Sequence, residues 1–479
     1  MTVSYHPRHP AAAAALSFLF PGLGQAYAGQ RRIALLLAGP IVLLIVATLL
    51  IALIFGAQMR NQLLSAPFLT GLLALDVALL NWRLFAILHA GLSIRPSTRT
   101  LFALAGLVLL TLAMHAYMAL VVGRLDSVLN RVFGAERTGA VGAGTGQGGP
   151  LNEPEYRWDG TDPINFLLLG LDTGPGRNEA NTDTILVVSV DPVAHHAVMV
   201  SVPRDTGFVP LPDTRLYPDG LFPGKINALA QTASQDPQRW CPDLRTANDC
   251  GIRTLERSVS LYLGIPINHY ALIDLAGFSE LIDSLDGLEL CLPGRLIDPA
   301  YSGPGWWPKI GIELPAGCRV YDGAEALAFA RIRKGSLVMP DGSVEAQDDF
   351  KRSERQQEVL LALRRQLAQA DLLFDLPGIL DAIGRTVTTD FPRSKAGDLA
   401  TLMPLIAGPE IERVVLGLPK FVGPPVDPAT NYLLIPRRDT IRAEMERLFG
   451  GKTPLLGWYL GSEALLPPPD SEQPSPSPS

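Results

Sequence analysis

Cysteine is scarce in this 479-residue chain, and the four that occur, Cys241, Cys250, Cys291 and Cys318, all lie in its second half. No pair has Cys-x-x-Cys spacing and no histidine cluster accompanies them, which argues against a structural zinc site. Thiols confined to one region suit an oxidising compartment, where disulfides persist. Pairing nearest neighbours in sequence joins Cys241 to Cys250 and Cys291 to Cys318, one of the three connectivities that four cysteines allow. Charge is scarce too, at 18% of residues, and there is no basic surplus. Beyond Gly123 the chain carries 33 basic against 46 acidic residues, a net of −13. That balance excludes a general nucleic-acid surface, and no nucleic-acid partner is expected.

In place of charge the N-terminal quarter has apolar length. Residues 33–57 contain no ionisable side chain and are long enough to cross a ~30 Å hydrocarbon layer as a helix. Residues 67–92 and 101–122 read the same way, although Asp76 and Arg83 in the first of these are expensive in lipid unless they pair. They are seven apart and invite either a site inside the membrane or, as expected here, a structural ion pair. Residues 11–28 are apolar but broken by Pro21, Gly22 and Gly24, which predicts a hairpin rather than a full span. A cleavable signal peptide fits poorly, with a weak positive start and three spans following. Positive residues favour the cytoplasm. Placing Arg31, Arg32, Arg95 and Arg99 inside and crossing three times puts everything after Gly123 outside.

The expected organisation is therefore an all-helical membrane region over 1–122, then a linker over 123–160 centred on the glycine-rich run TGAVGAGTGQGGPL. One domain over 161–450 and a Pro/Ser-rich tail over 451–479 follow. Within the domain, runs rich in branched residues at Ile164–Leu169, Thr184–Val190, Ala197–Val202, Ile267–Ile273, Gly287–Leu292 and Arg413–Leu418 predict strands. Helical spacing at 251–263, 274–284, 322–331, 353–370 and 395–407 separates them. The expected fold class is α/β, a central mixed sheet flanked by helices on both faces.

Candidate chemistry gathers at strand ends. Asp172 ends the first strand in LLLGLDTG and Asp183 opens the second in NTDTILVV. Paired carboxylates there suit Mg²⁺, a hard cation that usually bridges to substrate phosphates, although an Asp at a strand end also serves as a turn former or cap. Arg204 follows the third strand in MVSVPRDTG, where its guanidinium offers phosphate a planar fork or forms a salt bridge with Asp205. The densest cluster runs from RIRK (Arg331, Arg333, Lys334) to DDFKRSERQQ, where Asp349, Arg352 and Gln356 fall on one helix face. A solvated charged helix is the plain reading of that cluster taken alone.

Taken in order, NFLLLGLD, NTDTILVVSV, VSVPRD, GKINALA, INHYALID, DGAEALAFARIRK and DFKRSERQQEVL resemble the LytR-CpsA-Psr family over roughly residues 160–450. The resemblance implies that Asp172 and Asp183 hold Mg²⁺ against a polyprenyl pyrophosphate, with both and Arg204 catalytic. It implies that Arg204, Arg331, Arg333, Asp349, Arg352 and Gln356 form the pyrophosphate site, with the polyprenyl tail in an apolar tunnel between sheet and helices. The implied activity is transfer of an anionic glycopolymer from its polyprenyl-pyrophosphate carrier to peptidoglycan, outside a multi-pass anchor in the membrane lipid bilayer. The alternatives are a non-catalytic polyprenyl-phosphate binder or sensor, and a pyrophosphate hydrolase. Asn181 stands where the family usually has Arg, and about nine residues near GSLVMPDGSVE lengthen the link between RIRK and DDF. Three spans replace the family's common single anchor. The segment SFLFPGLGQAYAG resembles pieces preceding hairpins in other small bacterial membrane proteins.

Overall fold

Strict alternation along Ile164–Leu171 sends Leu167 and Leu169 to one side of a sheet and Ile164, Phe166 and Leu168 to the other, so this strand is apolar on both faces. The computed structural model describes residues 9–56, 60–92, 97–133, 158, 160–171, 182–213, 215–242, 247–303, 310–369, 372–399, 402, 411–425 and 432–449. The chain forms two compact units, one of Met1–Asn130 with Arg393–Asp398 and the other of Arg131–Pro392 with Leu399–Ser479.

In the first unit three helices are long and apolar enough to cross a membrane: α1 (Arg31–Phe55), α2 (Ala66–Leu92) and α3 (Thr98–Val132). α3 runs ten residues past the expected end of its span at 122, into the segment read as linker. Leu125, Val128, Leu129 and Val132 keep helical spacing there, while Ser127 Oγ donates to Gly123 O and Asn130 Nδ2 to Asp126 Oδ2, each four residues back. The broken apolar stretch forms two short helices, Pro10–Leu19 and Leu23–Tyr27, joined through Gly22 at φ 102°. Its buried polar groups are satisfied. Gln25 Nε2 donates to Ala86 O at 2.8 Å and Gln25 Oε1 accepts from Ser17 Oγ at 3.0 Å.

The pair expected between packed helices joins Asp76 to His115 and not to Arg83. Seven residues along a helix is a rise of ~10.5 Å, whereas His115 of α3 brings Nδ1 to 2.7 Å from Asp76 Oδ1. Arg83 Nη2 instead donates to Phe18 O at 2.7 Å, with its guanidinium 5.5 Å from the Phe18 ring centroid.

The second unit is α/β, built on a six-stranded mixed sheet. Its strands are β1 (Ile164–Leu171), β2 (Thr182–Asp191), β3 (His196–Ser201), β4 (His269–Asp274), β5 (Val387–Thr389) and β6 (Ile411–Val415), in spatial order β5-β4-β1-β2-β3-β6. β1–β4 and β3–β6 pair parallel and the rest antiparallel. One face, through Leu167, Ile185, Val187 and Val198, packs on α4 (Ile226–Gln235), α5 (Ala247–Leu263) and α10 (Arg438–Phe449). α6 (Leu275–Asp283), α7 (Gly323–Arg331), α8 (Asp349–Gln369) and α9 (Leu372–Thr386) build the apolar clusters of the other side.

Several elements depart from the sequence reading. The strand expected at Gly287–Leu292 forms at Leu288–Leu292, but pairs only with Gly317–Tyr321, outside the main sheet. Leu288, Leu290 and Leu292 are buried while Glu289 and Cys291 are exposed, the one-sided alternation of a half-covered ribbon. A four-stranded ribbon orders Val344–Ala346, Ser336–Val338, Arg295–Ser302 and Ile310–Leu314, so the lengthened link between RIRK and DDF is a β-hairpin. α4, α9 and α10 were not anticipated. The helix expected at 395–407, the glycine-rich run and the tail fall largely or wholly outside the described residues.

Candidate functional site

β1 and β2 are in register until their ends, where Gly170 pairs with Thr184 but Leu171 pairs with Thr182. Asp183 is the residue left over in this bulge, a device that re-aims one side chain at a sheet edge. A side chain on Gly170 would place its β-carbon 2.9 Å from Thr184 Oγ1, so the close strand approach requires glycine. Arg204, just past β3, donates from Nη1 to Asp183 Oδ1 at 2.6 Å. Both side chains are partly exposed and such a pair contributes on the order of 1 kcal/mol. It aims the guanidinium rather than holding the fold together.

α8 brings the second layer. Arg352, only 3% exposed, donates from Nη2 to Asp183 O at 2.9 Å and to Asp349 Oδ2 at 3.2 Å. Asp349 Oδ1 also stands 3.6 Å from Arg204 Nε, so this carboxylate sits between two guanidiniums. In that placement the Asp349 carboxylate orients both guanidiniums. Burial pushes the Asp349 carboxyl above its ordinary range, against the pull of Arg352 and Arg204. Burial also lowers Arg352, whereas for Arg204 the carboxylates Asp183, Asp349 and Asp205 outweigh burial and raise it. Arg352 Nε has no hydrogen-bond partner among the described residues.

α7 supplies the third group. Asp322 and Glu325 form a reciprocal capping box at its start. Gly323 approaches α6 so closely that a β-carbon would stand 2.0 Å from Ser279 O. At its other end the carbonyls of Phe329 and Ile332 accept from Arg355 of α8, Phe329 O at 2.7 Å, and Gln356 Nε2 donates to Ala330 O at 3.4 Å. The helix thus ends against α8 with its last carbonyls satisfied, which fixes Arg331 and Arg333 beside Arg352. Burial, with Arg352 adding to it, lowers Arg355 to about 10.

These residues surround a cavity of about 800 Å³, part of it open to solvent. Asp183, Arg331, Arg333, Arg352 and Gln356 line its polar part, and Leu168, Leu186, Ile273, Phe278, Leu327 and Val359 its apolar part between sheet and helices. The arrangement can hold an amphiphile, with an anionic head on the guanidiniums and an aliphatic tail among the leucines.

Asp172 and Asn181 lie outside the described residues. Asp183 offers a hard oxygen donor suited to Mg²⁺, an ion that takes one or two carboxylates and completes its shell with phosphate and water. Among the described residues no three of His, Cys, Asp and Glu converge into a ready-made metal cage. Cys241 is bonded to Cys250 and Cys291 to Cys318, away from the cavity lining.

The sequence reading missed Lys225, whose Nζ lies 2.7 Å from Asp205 Oδ1, and the bracing role of Arg355. Ile226, Leu229, Ala230 and Ala233 are spaced as a helix face, and Lys225 is the residue before it.

The chain is 29% identical over 230 residues to the polyisoprenyl-teichoic acid–peptidoglycan teichoic acid transferase TagU of Halalkalibacterium halodurans, covering 48% of this chain and 61% of that protein. It is 29% identical over 325 residues to the cell wall biosynthesis protein LcpA of Corynebacterium glutamicum, covering 62% of this chain and 55% of that one. The chain thus spans less than two thirds of either relative's length. The crystal structure of TagV from B. subtilis aligns with TM-score 0.43 at 21% identity, over 60% of this chain and 98% of TagV. Residues 143–417, which carry β1 to β6, the bulged Asp183 and the arginines of α7 and α8, match the LytR_cpsA_psr family, and the chain belongs to it.

Proposed function

We propose that this chain is a membrane-tethered, Mg²⁺-dependent phosphotransferase that moves an anionic glycopolymer from a polyprenyl-pyrophosphate carrier to peptidoglycan. One observation carries the reading: Arg331, Arg333 and Arg352 line the same cavity as Leu168, Leu186, Phe278 and Leu327. A free nucleotide or sugar phosphate would leave the apolar part idle, and a plain lipid would bring no anion to the guanidiniums. The names of the relatives, a teichoic acid transferase acting on peptidoglycan and a cell wall biosynthesis protein, support the same substrate class.

In the reaction a hydroxyl oxygen of the acceptor glycan attacks the phosphorus that bears the polymer's first sugar. A new P–O bond forms, the anhydride P–O bond breaks, and polyprenyl phosphate leaves with the electron pair. The hydroxyl proton passes to a carboxylate, a role for which Asp172 is the candidate. Arg204, aimed by Asp183, and Arg352, held by Asp349 and the Asp183 carbonyl, neutralise charge that develops on the phosphate oxygens. Asp183 and Asp172 would hold Mg²⁺, which when bound supplies further neutralisation of phosphate charge. Arg31 and Arg32 start α1 and Arg99 lies near the start of α3; the tendency of positive residues to stay in the cytoplasm supports an orientation in which the α/β unit works on the outer face of a multi-pass anchor.

The test incubates the full chain in detergent with a lipid-linked oligosaccharide, peptidoglycan and Mg²⁺. Labelled polymer should become attached to peptidoglycan and polyprenyl phosphate should appear. Release of free oligosaccharide phosphate would mark a hydrolase, and binding without turnover would mark a sensor.

A further inference from the structure

Arg204 leads beyond the cavity lining, with its Nε 3.8 Å from Asp205 Oδ2. The turn after β3 is zipped to a returning segment: Leu434 N donates to Asp205 O and Gly207 N to Leu434 O, each at 2.9 Å. The approach is tight, since a β-carbon on Gly207 would stand 2.4 Å from Leu433 Cγ. Leu433 and Leu434 are buried by this pairing, while Tyr432 is left 38% exposed. Its ring centroid lies 5.9 Å from Lys225 Nζ, and that ammonium is 2.7 Å from Asp205 Oδ1. Asp205 adjoins Arg204, which holds Asp183. Burial first, and then Asp205, Asp348 and Asp349, push the phenol above its ordinary value, as befits a ring near those carboxylates.

We propose that Tyr432 is a stacking platform for the first sugar ring attached to the pyrophosphate of the lipid-linked substrate. The inference rests on the function proposed above and deepens it. A run of contacts joins the cavity's Arg352 to Tyr432: Arg352 and Arg204 share Asp349, Arg204 Nε stands 3.8 Å from Asp205 Oδ2, and Asp205 holds Lys225 beside the Tyr432 ring. A lipid-linked sugar carries tail, pyrophosphate and sugar in that sequence. A pyranose has an apolar C–H face and a polar hydroxyl edge, so it packs on a ring whose neighbours offer a donor and an acceptor. The segment bearing Tyr432 is tied by backbone hydrogen bonds, so the ring is presented with little ordering left to pay on binding.

The test titrates the full chain, in detergent micelles with Mg²⁺, with farnesyl pyrophosphate and with farnesyl-pyrophosphoryl N-acetylglucosamine. The unaltered chain should bind the sugar-bearing probe about five- to tenfold more tightly, the scale of one aromatic contact. Tyr432→Ala should bring that ratio close to one while leaving the affinity for farnesyl pyrophosphate unchanged, which also shows that the variant folds. Tyr432→Trp should keep the ratio. A ratio near one in the unaltered chain, a ratio preserved in Tyr432→Ala, or equal loss for both probes would overturn the inference while sparing the proposed function. Failure of the unaltered chain to bind either probe would overturn both.

Discussion

Asp183 and Arg204 meet at 2.6 Å where the ends of β2 and β3 reach the same edge of the sheet. Asp183 is the extra residue of a bulge and Arg204 lies just beyond the last strand residue, so neither carries much of the core. Asp183→Ala should therefore abolish Mg²⁺-dependent transfer while the thermal unfolding midpoint stays within a few degrees of the unaltered chain. Arg204→Lys should recover only part of the activity lost in Arg204→Ala, because an ammonium cannot reproduce the fork. Full transfer by Asp183→Ala would remove this residue from the site.

Arg355 should behave differently. It is buried and donates to Phe329 O, Ile332 O and Gln347 Oε1. Arg355→Ala strands those acceptors and should cost about 2 to 4 kcal/mol in chemical denaturation. Affinity for a prenyl pyrophosphate should fall with it, since Arg331 and Arg333 lose their brace. Unchanged stability would show that α7 ends without help from α8.

In the membrane unit, Asp76 and His115 are 2.7 Å apart on neighbouring apolar helices. Asp76→Leu and His115→Leu should each destabilise the detergent-solubilised chain by roughly 1 to 2 kcal/mol. The double variant should lose less than the sum, a coupling that a double-mutant cycle reads directly. Strict additivity would mean that the pair contributes nothing as a pair.

The disulfides should be quantitative in the purified full chain. Non-reducing mass spectrometry should find Cys241 joined to Cys250 and Cys291 to Cys318, with no free thiol. Removing either by a double Ser substitution should cost roughly 2 to 4 kcal/mol.

Protease added to intact spheroplasts should digest the α/β unit. Protection there, with cleavage in inverted vesicles, would reverse the topology.

The sequence made some of this legible and hid the rest for definable reasons. Ile164–Leu169 and Thr184–Val190 declare themselves because branched, doubly apolar runs have few other fates. The bulge at Asp183 is invisible, since a one-residue slip in register belongs to a pair of strands and not to either alone. Asp76 and Arg83 share a sequence neighbourhood, but α3 supplies the nearer partner, and packing between helices leaves little trace in one chain. Arg331, Arg333, Arg352 and Gln356 were found because ordered motifs surround them. Lys225 and Tyr432 were not, because backbone contacts between Asp205 and Leu434 place the rim, across more than two hundred residues of chain.

The hairpin between RIRK and DDF is closed at its neck, where Gln347 N donates to Gly335 O at 2.9 Å and the Gln347 side chain accepts from Arg355. Beyond that neck Ser336–Val338 pairs with Arg295–Ile297 and Glu345 Oε1 meets Lys351 Nζ at 2.9 Å, whereas Asp341 and Gly342 at the tip are exposed. Length can therefore drift at the tip without a toll on phosphate geometry, since the entropy of a longer loop grows only logarithmically. The tip is for the same reason a port, a place to graft a fluorophore or an epitope without disturbing the arginines.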